Sequence, residues 1–109
     1  MISNQELKSL YNELNETKFG NELPKRIRVR WDLRRKEKAT AREYTKFIKG
    51  KLKHKYTIQF GSAFLVLSKE KLTPYMIHEM LHIRDYTQNN YKHHGDGFRG
   101  DNKRLGGNQ

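Results

Sequence analysis

The chain contains no cysteine. That excludes a disulfide framework, a thiolate zinc ribbon and a thiol nucleophile, and it suits a reducing compartment; any metal must be held by His, Asp or Glu. Long apolar segments are also missing. The longest run is Ala63-Phe64-Leu65-Val66-Leu67, far short of the roughly 20 residues a membrane span needs. The start, Met1-Ile2-Ser3-Asn4-Gln5-Glu6, lacks the basic and then apolar pattern of a secretory leader. These absences predict a cytoplasmic protein without membrane attachment. The 109 residues have room for one domain, which at this size buries roughly 65% of the surface exposed by the unfolded chain. No internal repeat or boundary divides it, so residues 1–109 read as a single domain, expected to be monomeric.

What the chain has in excess is positive charge, confined to one stretch. Residues 25–55 hold fourteen Lys or Arg against the three acids Asp32, Glu37 and Glu43, a balance equal to the whole net charge of +11. A cationic footprint so clustered reads as a surface for a polyanion, nucleic acid before others, because phosphate neutralisation rewards grouped cations. The bland alternative is a solubilising lysine-rich face. Arg28, Arg30, Arg34, Arg35, Lys36 and Lys38 are the candidate contacts. Trp31, Tyr44, Phe47 and Tyr56, interleaved with the cations, could stack on bases or face the core.

Local patterns predict the elements. Ser3-x-x-Glu6 is a capping box ahead of Leu7, Leu10, Tyr11 and Leu14 at helical spacing, which predicts a helix over about 4–18 ended by Gly20. Ile27, Val29 and Trp31 alternate with Arg28 and Arg30, the two-residue period of a half-buried strand with a basic outer face. A strand pair is expected at 41–47 and 55–60, joined by a long lysine-rich turn around Gly50, and a buried strand at 63–67. Thr73 and Pro74 are expected to open a second helix as N-cap and first helical residue, running to about Gln88. Asp96 should cap a short, weak final helix containing Gly97 and Gly100. The terminal 106–109 should be frayed.

Within the second helix lies His78-Glu79-Met80-Leu81-His82, the H-E-x-x-H pattern of zinc metallopeptidases. Residues four apart on a helix differ by about 40° of rotation, so both imidazoles project from one face and can share a tetrahedral ion. Glu79 beside them is suited to act as general base toward a metal-activated water. A catalytic zinc usually has three protein ligands. Beyond a helix ending near Gln88, an extended chain of six residues spans about 20 Å and can return to the metal. By spacing alone His94 and His93 are equivalent candidates, with Asp85 and Asp96 behind them.

The sequence resembles the SprT-like metallopeptidases, the family that includes Spartan, whose signature is H-E-x-x-H followed by H-G-x-x-F. Here these are His78 to His82 and then His94-Gly95-Asp96-Gly97-Phe98. The resemblance extends to Leu10-Tyr11-Asn12-Glu13-Leu14-Asn15, to Phe19-Gly20-Asn21-Glu22-Leu23-Pro24 and to the strand ending at Trp31. It implies His78, His82 and His94 as zinc ligands, Glu79 as catalytic acid and base, and Phe98 packed behind the third ligand. It further implies a compact α+β, zincin-like fold, a small sheet against an active-site helix with flanking helices, and residues 73–98 as the zinc-site helix and third-ligand loop. A protein substrate near or bound to DNA is implied as well. Many relatives carry a cysteine-rich zinc module after the core; without cysteine this chain is not expected to reach DNA that way. Asp85 stands where a metzincin would need glycine.

The leading expectation is a zinc metalloendopeptidase acting on proteins at DNA. The rival is a non-catalytic DNA-binding protein with structural zinc, which would have no use for an unligated carboxylate at Glu79. A third reading is a metal-dependent hydrolase of a non-peptide bond. His93, Tyr86 and Tyr91 are candidate oxyanion stabilisers by proximity alone.

Overall fold

The computed structural model describes residues 2–88 and 95–108, with the side chain of Asp96 left out. Helix α1, Asn4–Phe19, begins as the capping box predicts: the Ser3 hydroxyl accepts from the Glu6 amide, and the Glu6 carboxylate accepts from the Ser3 amide. Leu7, Leu10, Tyr11 and Leu14 form its buried stripe, and Gly20, at φ 59°, supplies the left-handed cap. The turn that follows is held from inside the core. The Asn15 side chain both donates to and accepts from the Leu23 backbone, each at 3.1 Å, and the Tyr11 hydroxyl donates to the Pro24 carbonyl.

Three strands follow: β1 (Arg28–Trp31), β2 (Ala39–Ile48) and β3 (Lys51–Phe60). They lie in the order β1-β3-β2, with β1 parallel and β2 antiparallel to β3. The β2–β3 ribbon is longer than the sequence suggests, and its turn is two residues rather than long. Lys49 and Gly50 take φ of 50° and 75°, the left-handed pair that a tight hairpin needs to match strand twist. The lysines read as loop belong to paired strands, with Lys46 opposite Lys53 and Ile48 opposite Lys51.

Among the described residues the helices pack on one face of the sheet. Val29, Ile58 and Phe60 point into a cluster completed by Leu7, Leu10 and Tyr11 of α1 and by Leu72, Met76 and Met80 of the next helix. By strand alternation Arg28, Arg30, Thr40, Arg42, Thr57 and Gln59 face the other way.

The expected strand at 63–67 is instead a 3₁₀ turn, Ser62–Val66, in which Phe64 is buried and Val66 is 87% exposed. An unbroken apolar run carries no period to separate strand from helix. The chain reverses here because Gly61 passes against the Lys36 backbone, where a Cβ would fall 2.0 Å from the carbonyl oxygen.

Helix α2, Lys69–Thr87, starts four residues before Thr73 and is capped by Ser68, whose hydroxyl accepts from the Lys71 amide. Pro74 therefore sits inside the helix. The bond it cannot donate would reach Glu70, which is exposed to water. The far end agrees with expectation.

Helix α3, Asp96–Leu105, is capped by Gly95 rather than by Asp96. Phe98, Asn102 and Leu105 make its buried stripe. The terminal segment is not frayed as far as Asn108: Gly106 closes α3 at φ 86°, Gly107 is buried, and the Asn108 amide donates to the Pro74 carbonyl at 2.9 Å. Glycine at 107 permits this approach, since a Cβ there would fall 1.8 Å from the Asn102 side-chain oxygen. Among the described residues no helix is long and apolar enough to cross a membrane.

Candidate metal centre

The middle of α2 carries three of the expected site residues, His78, Glu79 and His82, and brings the two histidines together. His78 and His82, one turn apart, have ring centroids 5.0 Å from each other at 74°. Phe98 of α3 packs on both, 5.1 Å from His78 and 4.6 Å from His82. Its described partners are thus the first two histidines of the pattern. Both imidazoles are half-buried, whereas Glu79 between them in sequence is only 6% exposed.

Burial sets the chemistry of Glu79. Desolvation penalises the carboxylate and pushes its pKa from 4.5 to about 8. A carboxyl held so far from water is ill placed as a solubilising group and well placed to exchange a proton near neutrality. Tyr86, two turns on, donates from its hydroxyl to the Ala41 carbonyl of β2 at 3.3 Å. Its pKa is raised by burial first and then by the negative charges of Glu79, Glu43 and Asp85. Of the three oxyanion candidates, Tyr86 is thus described within the electrostatic reach of Glu79.

His78 is oriented from outside its helix. Its Nδ1 lies 3.0 Å from the Asn108 carbonyl oxygen. A carbonyl can only accept, so the contact places the hydrogen on Nδ1 and leaves the lone pair on Nε2. Behind the helix, Arg84 ion-pairs with Asp101 of α3 and with the buried Asp85, and Asp101 also meets Arg104 at 3.2 Å. These pairs hold α3, and with it Phe98, against α2.

The remaining ligand candidates divide. Asp85 is buried beside Arg84. His93 and His94, with Tyr91, lie outside the described residues, as does the side chain of Asp96. Among the described residues no three His, Asp or Glu side chains converge as a metal-binding group. The donors present are of the kind zinc takes: two imidazoles at i and i+4 whose rings meet on one face of α2, that of His78 with its tautomer set for Nε2 ligation.

The six nucleic-acid candidates separate by element. Arg28 and Arg30 stand on the outer sheet face, opposite Thr57 and Gln59 of β3. Arg34 and Arg35 instead fold back on Asp32, at 3.2 and 3.3 Å. Those contacts, the Arg34 side chain first, hold the Asp32 carboxyl below its usual range. Lys36 and Lys38 are exposed in the connection to β2. Arg42, Lys46, Lys51, Lys53 and Lys55 of the basic 25–55 stretch share the outer face with Arg28 and Arg30. Strand alternation carried through the lysine-rich ribbon places them there. Two recesses of about 420 and 430 Å³ lie along this face, lined by Arg28, Arg42, Tyr44, Lys46 and Lys55 among others. In the same region the Arg30 Nε, the Thr40 hydroxyl and the Gln59 side-chain oxygen are buried and have no hydrogen-bond partner among the described residues.

No curated protein and no solved structure matches the chain. The family model described as the SprT-like family matches residues 7–109, from the first buried leucine of α1 through both halves of the histidine pattern. On that match the chain belongs to the SprT-like family.

Proposed function

We propose that the protein is a zinc-dependent metalloendopeptidase with a zincin-like site, in which His78, His82 and His94 hold the metal and Glu79 is the general base. The observation that carries this reading is the buried carboxyl of Glu79 in the same turn of α2 as His78 and His82, whose rings meet on one face of the helix. Zinc bound there would lower the pKa of a water and polarise the scissile carbonyl. Glu79 takes the proton as the water oxygen attacks the carbonyl carbon, then delivers it to the amine nitrogen as the C–N bond breaks. His78, with its hydrogen held on Nδ1, presents Nε2. Phe98 keeps both rings in place and shields them from water. A structural zinc site in a purely DNA-binding protein would leave the buried Glu79 without a task.

The test is zinc content and hydrolysis of an unstructured protein. His78→Ala, His82→Ala and His94→Ala should lose zinc, whereas Glu79→Gln should keep it and lose hydrolysis by about 10²-fold or more. Turnover by a pure Glu79→Gln preparation at the wild-type rate would end the mechanism.

Nucleic acid is the partner we propose for the outer sheet face, where Arg28, Arg30, Arg42 and the ribbon lysines present charge away from the helices. The chain would act there as a monomer, bringing the peptidase to protein substrates on DNA. A nucleic-acid partner and a chain without cysteine both suit a reducing cytoplasm.

A further inference from the structure

We propose that Asn102 is a positioning residue for the metal centre, acting through the backbone carbonyl of Asn108 to fix the ring of His78. The inference rests on the zinc reading above and adds a residue that neither the histidine pattern nor the sequence points to. The carbonyl oxygen of Asn108 has two partners, His78 Nδ1 at 3.0 Å and the Asn102 side-chain amide nitrogen at 2.6 Å. Its own amide is tied to Pro74, one turn before His78 on α2. Residue 108 therefore clamps α2 at two points, and Asn102 holds the clamp from α3.

The surroundings are built for this contact. Asn102 is 4% exposed; among the described residues its side-chain oxygen has no hydrogen-bond partner, so the bond its side-chain nitrogen donates to Asn108 is the one that offsets burying the amide. The Gly107 amide donates to the Asn102 backbone carbonyl at 2.7 Å, and Gly107 lacks the Cβ that would displace the Asn102 side chain. The link from α3 to the imidazole thus runs through one side chain and one peptide group. An acceptor behind a ligating histidine sets the tautomer and the ring angle, and removing such support costs about 10–100-fold in metal affinity.

The coupling is reciprocal by thermodynamic necessity. If the clamp favours zinc on His78, zinc must tighten the clamp. Asn102→Asp keeps the size of the side chain and removes the donated hydrogen bond. Gly107→Ala attacks the same link from the other side, by pushing a methyl group into the Asn102 amide.

The experiment uses the full chain and zinc ion alone. Affinity is measured by competition with a chelator, and the metal-free His78 ring is followed by ¹⁵N NMR. Both variants should bind zinc tenfold or more weakly than wild type. The His78 signal should drift from the Nδ1–H form toward the Nε2–H form that a free imidazole prefers, while His82 stays unchanged. Folded variants that bind zinc within twofold of wild type, or keep the wild-type His78 signature, would overturn the proposal. Should the variants not fold, amide exchange in wild type decides: zinc should slow exchange at the Asn108 amide several-fold, and an unchanged rate overturns the clamp. Wild-type chain that takes no zinc overturns the metal reading itself, whereas a zinc-binding wild type with indifferent variants overturns only the role of Asn102.

Discussion

Glu79 is the residue at which burial and reactivity meet. Because its folded pKa is raised from 4.5 to about 8, the native metal-free chain holds a proton that the unfolded chain gives up between those values. The resulting stabilisation is fully present below 4.5 and is lost as pH rises through about 8. Chelator-treated wild type should therefore lose thermal stability relative to Glu79→Gln between pH 5 and pH 9. Parallel melting profiles for the two proteins would show that the carboxyl is not desolvated as described. Zinc should flatten the difference, since a neighbouring cation favours the carboxylate. His78 and Asn108 illustrate the limit of reading residues from sequence. The histidine announces itself by its pattern, whereas its hydrogen-bond partner is a main-chain carbonyl thirty residues away with no side-chain signature. Its sequence context, Gly106-Gly107-Asn108-Gln109, predicts a frayed end, yet the Asn108 amide is tied to Pro74.

At the scale of elements, glycines separate packing from propensity. Gly61 lies against backbone that cannot move aside, so Gly61→Ala should destabilise by about 1–3 kcal/mol through overpacking. Gly97 and Gly100 are exposed in α3 with open space around them, and Ala at either should stabilise by about 0.5–1 kcal/mol. Chemical denaturation of the three variants checks both signs. The same contrast explains which elements were legible. Helix α1 carries its capping box, its apolar stripe and its terminal glycine in the sequence, and β1 carries a clean alternation. Thr73-Pro74 imitates a helix start, although Ser68 caps α2 one turn earlier. The lysines of the β2–β3 ribbon look like loop in sequence and pair across the hairpin in the fold. The glycines of α3 lower its propensity, while Phe98, Asn102 and Leu105 supply the stripe that packs it.

The whole molecule is two-sided. The helices, the core, His78 and His82 lie on one side of the sheet, and the other carries Arg28, Arg30, Arg42, Lys46, Lys51, Lys53 and Lys55. If this outer face neutralises phosphates, the log–log salt slope for duplex binding should drop by about 0.9 for each contact removed. Charge reversal at Arg28, Arg42, Lys46 and Lys53 should therefore flatten the slope markedly. Reversal at Arg34 and Arg35, already held by Asp32, should change it less. Zinc content and the rate on a short peptide should be untouched by either set, because the sheet stands between the two faces. Equal slopes in all three proteins, measured by titration across salt concentrations, would remove nucleic acid from the outer face. The ribbon also gives this surface a mechanical gradient. At its base, Ile58 and Phe60 are fully buried in the core, while near its turn Phe47 and Leu52 are 72% and 58% exposed. Among the described residues that outer half is held by strand pairing and by the contact of His54 with Glu43 at 3.9 Å. Backbone order parameters should decline steadily from residue 60 toward residue 50 and recover toward residue 39. A cationic surface rigid at one end and compliant at the other can follow the curvature of a bent or single-stranded backbone without disturbing the histidines on the far side of the sheet.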